Sequence, residues 1–345
     1  MGAIGGIFSY TSSPLDPMLP VCMSRSMTIR GGAVREAYIG KQAALLQNMS
    51  SKESRSALPR PLTRTANGSA YTIVADGAPC TSELAAEEEL FDVAEQTLEA
   101  YIALGTDIAE TLSGSFTLAI LDERRSEVLL LCGTESGKSL FFVNDRDYFA
   151  FASEIKALLR FFPDGIRIGR ERLWSYLTAP CGSASGAELY AHLSSLMPCT
   201  GIVCSAMGIS RFSYIPTSIS NPKKPPQTPI TPPLFVPEPQ ELKRHLTDIL
   251  FAFDYPQFDP WMIGTIQASK QSTGDPTRRE RALKKLDRSL RELLGDTDTS
   301  LLSYLFGAER LSALERERNL AKRIRLRGML YQTLLWAEHY PIHFV

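Results

Sequence analysis

Residues 151–158 read Phe151-Ala152-Ser153-Glu154-Ile155-Lys156-Ala157-Leu158. The apolar run Tyr148–Phe151 predicts a short buried strand, and Ser153–Arg160, with Glu154 early, predicts a helix following it directly. Working outward, apolar runs bounded by turn residues at Ser69–Ala75, Gly114–Leu121 and Glu127–Leu131 predict three more strands. Between them, Ser82–Ala103 has an acidic first turn and places Leu84, Leu90, Phe91, Ala94, Leu98 and Ile102 near helical spacing. Gly201–Cys204 and Ser210–Tyr214 then predict a small hairpin around Met207-Gly208. Alternating strands need two covered faces, and the helices at 82–103 and 153–160 are the candidates to cover them.

The character of the chain changes after residue 215. Pro222 to Pro239 contains eight prolines, which removes backbone donors and favours an extended polyproline path. Glu238–Phe253, Arg278–Leu294, Ser300–Arg318 and Leu320–Glu338 then show helical periodicity. The expected organisation is a mixed domain at 1–215, a proline-rich linker at 216–239, and an all-helical region at 240–345.

Composition narrows the functional classes. The chain has 345 residues, 44% hydrophobic and 22% charged, with net charge −1, so it reads as globular, and no basic surplus argues for nucleic-acid binding. The local surplus at 276–327, 14 Lys/Arg against 8 Asp/Glu, reads as a solvated helical face. No run reaches the roughly 20 apolar residues of a membrane span. The six cysteines form no Cys-x-x-Cys pair, which favours a reduced, cytoplasmic protein without a disulfide framework.

Several segments, taken in order, resemble the glutaminase half of asparagine synthetase, a class II glutamine amidotransferase. Met1-Gly2-Ala3-Ile4-Gly5-Gly6-Ile7-Phe8 is similar to the family's opening Met-Cys-Gly-Ile-x-Gly-Ile-Phe, and Arg30-Gly31-Gly32 resembles its Arg-Gly-Pro-Asp turn. Tyr71 to Ala78 resembles the strand ending in Asn-Gly-Glu, and Leu112 to Asp122 the stretch ending Phe-Ala-x-x-Asp. Residues 151–158 match the family signature almost letter for letter. The resemblance implies an α+β fold of the N-terminal-nucleophile type: four layers, αββα, with the first strand central.

The resemblance also implies where chemistry should sit, and those positions depart from it. The family's nucleophile is a Cys exposed at position 2 once Met1 is removed, and its α-amino group takes the proton. Position 2 here is Gly2. The family's oxyanion hole uses an Asn side chain beside a glycine; here Asp76 precedes Gly77, and a carboxylate accepts where a donor is required. Losing one such donor costs about 3 to 4 kcal/mol in the transition state. Val93 stands where a glutamine-binding Asp is expected, with Asp92 beside it. Arg30 remains to hold a substrate carboxylate.

No Ser-Gly-Gly-x-Asp-Ser pyrophosphate loop occurs, so the ATP centre of the synthetase half is missing and residues 240–345 read as its helical remnant. The expectation is an asparagine synthetase-family protein without catalytic residues. It would act as a scaffold beside an amide-forming or peptide-modifying enzyme, with Arg30, Asp76, Gly77 and Asp92 as a residual pocket for a glutamine-like molecule. Two alternatives stand beside it: a working glutamine-hydrolysing asparagine synthetase-type enzyme, and a glutamine or amino-acid sensor. Neither cofactor nor metal is expected. Gly133 to Ser139 has one residue too few between its glycines for a phosphate loop and runs into a strand, and His339 and His343 have no third ligand nearby.

Overall fold

A computed structural model of the protein describes residues 2–11, 14–30, 32, 34–49, 61–77, 79–81, 90–134, 139–162, 165–179, 186–217, 237–258 and 276–345. It divides into two compact units, Met1–Pro163 with His192–Pro225, and Asp164–Ala191 with Pro226–Val345. The contiguous domain expected at 1–215 is therefore interrupted by residues 164–191, whose apolar side chains, Leu173 and Leu177 among them, are buried within the second unit. Most of the expected proline-rich linker, 218–236, lies outside the described residues.

In the first unit the strands are β1 (Ala3–Ser9), β2 (Val34–Ile39), β3 (Ala43–Met49), β4 (Leu62–Ala66), β5 (Ser69–Gly77), β6 (Cys80–Thr81), β7 (Leu112–Ser113), β8 (Phe116–Asp122), β9 (Glu127–Cys132), β10 (Phe141–Asn144) and β11 (Tyr148–Ala152). After β12 (Ile166–Ile168) of the second unit come β13 (Leu193–Ser195), β14 (Thr200–Ser205) and β15 (Gly208–Ser213). They form two antiparallel six-stranded sheets, ordered β13-β10-β11-β1-β3-β2 and β15-β14-β9-β8-β5-β4. The first strand is central, between β11 and β3.

The sheets pack face to face because each strand directs alternate apolar residues inward. Ile4, Phe8, Leu45, Phe149 and Phe151 of one sheet meet Val74, Ala119, Leu121, Leu130 and Ile202 of the other. The opposite face of the second sheet, with Tyr71, Ile73, Leu118 and Ile120, is covered by helix α2 (Leu90–Leu104) through Ala94, Leu98 and Tyr101. Helix α1 (Met18–Ser26) buries Met23 on the outer face of the first sheet, and Met27 just beyond it approaches Gly5. These four layers are the expected αββα arrangement, with α1 in place of the predicted helix at 153–160.

That segment forms two 3-10 turns, Ile155–Ala157 and Leu159–Phe161. The reason lies at Glu154. Its backbone is extended (φ −125°, ψ 130°), and its carboxylate reaches back to the N–H groups of Ile29 and Arg30 instead of capping a helix.

The second unit contains α3 (Arg170–Thr178), α4 (Pro239–Phe253), α5 (Pro276–Gly295), α6 (Ser300–Glu315) and α7 (Leu320–His339). The C-terminal helices match their periodicities. One strand adds to them: β16 (Ile342–Phe344) pairs in parallel with β12, so this region is not wholly helical. From Leu326 to Trp336 helix α7 is buried on every side, and its polar Gln332 is satisfied by the Leu246 carbonyl (3.1 Å) and the Gln257 N–H (2.7 Å). Gly328 gives room to the Phe258 ring, which lies where a β-carbon would stand.

Part of the basic surplus at 276–327 is turned inward. Asp287, 6% exposed, accepts from Arg327, 4% exposed, at 2.5 Å and from Arg323 at 3.0 Å; Arg327 also meets Glu315 at 3.1 Å. Arg323 and Arg327 are thus partners of a buried carboxylate, whereas Arg281, Lys284, Lys285, Arg288 and Arg291 are exposed, as a solvated helical face requires. Among the described residues no helix is long and apolar enough to cross a membrane.

Candidate functional site

The site lies at one end of the seam between the two sheets. Alternation along β5 sends Tyr71, Ile73 and Ala75 outward and Val74 inward, so Asp76 also points into the seam. There the Gly2 N–H donates to Asp76 Oδ1 at 3.3 Å, linking the entrance of β1 to the end of β5. Asp76 is 2% exposed. A β-carbon on Gly2 would stand 3.4 Å from the Asn48 carbonyl oxygen and 3.8 Å from Asp76 Oδ1, so a small side chain fits at this position.

Neighbouring polar groups frame the same end. Gln47 Nε2 donates to the Ala75 carbonyl at 3.0 Å and ties β3 to β5 across the seam. Asn48 faces the other way and holds α1 through the Ser24 and Met27 carbonyls, at 2.7 and 3.1 Å. Thr117 stands opposite Asp76 in the β5–β8 register, fully buried, and its hydroxyl finds no hydrogen-bond partner among the described residues. Gly77 has φ +91°, and a β-carbon there would run into the Ser115 carbonyl, so glycine is required at this turn.

Arg30 is held beside the first strand by the signature segment. Its N–H donates to Glu154 Oε1 at 2.7 Å, and its guanidinium reaches the Ser139 and Ser153 carbonyls at 3.3 and 3.5 Å. Among the described residues no carboxylate pairs with that guanidinium. Ser153 fixes the strand in turn, its Oγ accepting from the Ile4 N–H at 3.0 Å. Glu154, 2% exposed, is balanced by Lys156 at 2.6 Å.

The structure thus brings Gly2, Asp76 and Gly77 together. Arg30 is connected to Gly2 through Ser153, Ile4 and the first strand. Asp92 falls in the first turn of α2, with its side chain outside the described residues, whereas Val93 is buried and its carbonyl accepts from Thr97. Sequence reasoning assigned no role to Gln47, Asn48 or Thr117. The signal for the first two is a polar pair inside the otherwise apolar strand 43–49.

Elsewhere, residues 135–138 of the Gly133–Ser139 stretch lie outside the described residues, the next strand, β10, begins at Phe141, and His339 packs against the Phe251 ring. Burial pushes the Cys132 thiol up to about 11 and the Cys204 thiol up to about 12, so both are inert sulfurs.

Two facing antiparallel sheets between helices, with the first strand central and residue 2 at the seam, define an N-terminal-nucleophile amidotransferase fold. The glutamine amidotransferase domain model matches residues 4–215, and the chain belongs to that family. It is asparagine synthetase-like in sequence: it is 25% identical over 163 residues to asparagine synthetase [glutamine-hydrolyzing] 3 of Bacillus subtilis (strain 168). That match covers 45% of this chain and 26% of the relative. Solved structures with partial similarity include glutamine phosphoribosylpyrophosphate amidotransferase from B. subtilis, 11% identical with a TM-score of 0.37, covering 61% of this chain and 49% of that one. Another is an allosteric regulatory enzyme of purine biosynthesis, 10% identical with a TM-score of 0.40, covering 81% and 69%.

Proposed function

We propose that this chain is a catalytically silent member of the amidotransferase family that acts by binding, as a scaffold or accessory subunit beside an amide-forming or peptide-modifying enzyme. The observation that carries the reading is the pairing of Gly2 with Asp76. The resemblance puts a thiol at the first position and an amide donor at the second; here one is a hydrogen atom and the other a buried carboxylate. An oxyanion developing beside Asp76 would meet negative charge instead of a hydrogen-bond donor, which raises the barrier. The fold survives because packing is spread over both sheets, whereas the chemistry hangs on a few atoms.

The test is incubation with glutamine, with and without ATP and aspartate. Ammonia and AMP at the level of a buffer blank support the reading, and either product above the blank contradicts it.

A second reading, an amino-acid sensor, rests on Arg30. Its guanidinium is held by main-chain carbonyls and keeps its charge available for a ligand carboxylate. Calorimetry with glutamine on wild type and Arg30→Ala tests this reading: heat lost in the variant supports it, and no heat in wild type removes it.

A further inference from the structure

On the outer face of the second sheet, away from the Gly2–Asp76 seam, a cavity of about 230 Å³ opens between the end of α2, the Gly105–Asp107 turn and the β8–β9 hairpin. Drug-sized ligands occupy roughly 300–1,000 Å³, so this one suits a smaller molecule. It is lined by Tyr71, Tyr101, Asp107, Asp122, Arg124 and Arg125 among others.

Its charges are separated. Asp122 is 3% exposed, and its Oδ1 accepts from the Arg125 N–H at 3.0 Å. Its Oδ2 is only loosely met, by the Tyr101 hydroxyl at 3.3 Å and by Arg125 Nε at 3.9 Å. A hydroxyl donating to a carboxylate normally closes to about 2.5–2.7 Å, so the contacts to Oδ2 are long and leave it able to accept a closer donor. Arg124, exposed on the same hairpin, meets no carboxylate among the described residues. The last turn of α2 adds the negative end of a helix dipole to the Asp122 side.

We propose that this cavity binds a free α-amino acid, its ammonium on Asp122 Oδ2 and its carboxylate on Arg124 and Arg125. Such a ligand adds a closer cation to a buried carboxylate that Arg125 meets only at 3.9 Å, and an anion to the Arg124 guanidinium, which meets no carboxylate among the described residues. A simple anion would be repelled by Asp122, and a metal ion by the two arginines; no group of three His, Cys, Asp or Glu residues suited to a metal occurs among the described residues. This site is independent of the Gly2–Asp76 seam, and its occupancy would let a silent domain report amino-acid supply.

The experiment is calorimetry of the full chain against the twenty standard L-amino acids. The best of them is then repeated as its N-acetyl and its carboxamide derivative, and on Arg124→Ala, Asp122→Asn and Arg30→Ala. The expected result is binding of at least one free amino acid, weakened about tenfold or more by either blocking group and by Arg124→Ala, and unchanged by Arg30→Ala. Arg124 is exposed and meets no carboxylate among the described residues, so its variant keeps the fold even if Asp122→Asn does not. The proposal is overturned by no heat from any amino acid, by equal affinity for the N-acetyl form, by an unaltered Arg124→Ala, or by loss of binding in Arg30→Ala.

Discussion

The Gly2 main-chain nitrogen donates to the Asp76 carboxylate at 3.3 Å, so two of the positions that depart from the family's pattern are in direct contact. The departures are thereby coupled: restoring one leaves the other in place.

Gly2→Cys alone is expected to release no ammonia from glutamine above blank, although the position has room for the side chain. Adding Asp76→Asn returns a donor of the kind worth about 10²–10³ in rate. Activity in the double variant and none in the single is the expected pattern, read by an ammonia assay on Met1-processed protein. Activity in the single variant would place the oxyanion site elsewhere.

Glu154→Ala is expected to lower stability by about 3 kcal/mol. It strips the Ile29 and Arg30 N–H groups of their acceptor and removes the carboxylate that Lys156 meets at 2.6 Å. A urea midpoint measures the loss, and hydrogen exchange should localise the new flexibility to residues 29 and 30.

Asp287→Ala is expected to cost about 3 kcal/mol, because buried Arg327 then loses its closer carboxylate and keeps only the exposed Glu315. The loss should persist in high salt, since the pair is shielded from solvent. If urea unfolding of Asp287→Ala overlays wild type, the network carries no weight.

Stability should fall as pH rises above 9. The thiols of Cys132 and Cys204 start from 9.0 in the unfolded chain and are pushed up by burial to about 11 and about 12. The unfolded state therefore loses protons that the fold retains, so the stabilisation is complete below pH 9 and disappears as pH climbs through the folded values. Buried Tyr190 and Tyr214, raised mainly by burial, act in the same direction. Urea midpoints at pH 8 and 10.5 measure the fall, and Cys132→Ala should reduce it.

The fold was legible where a single physical signal dominated. Strands β5, β8, β9 and β11 and helices α4 to α7 lie within about three residues of their patterns, because each is an apolar run or a helical periodicity bounded by clear turn residues. Strand β3, Ala43–Met49, was not legible because the polar pair Gln47-Asn48 cuts its apolar run short although both side chains are buried. The segment at 153–160 misled because Glu154 looks like a first-turn helix acid, while its real partners are 125 residues away in sequence. Residues 164–191 likewise join the second unit through non-local packing that no local pattern encodes. At the site, Gly2 and Asp76 were readable as positions, but their contact needed the two sheets in place.

The most direct measurement is mass spectrometry of the intact protein after incubation with a glutamine-mimicking electrophile that alkylates amino-terminal nucleophiles. The account predicts an unchanged mass at the Gly2 end of the chain. A covalent adduct on that amino-terminal segment would contradict it.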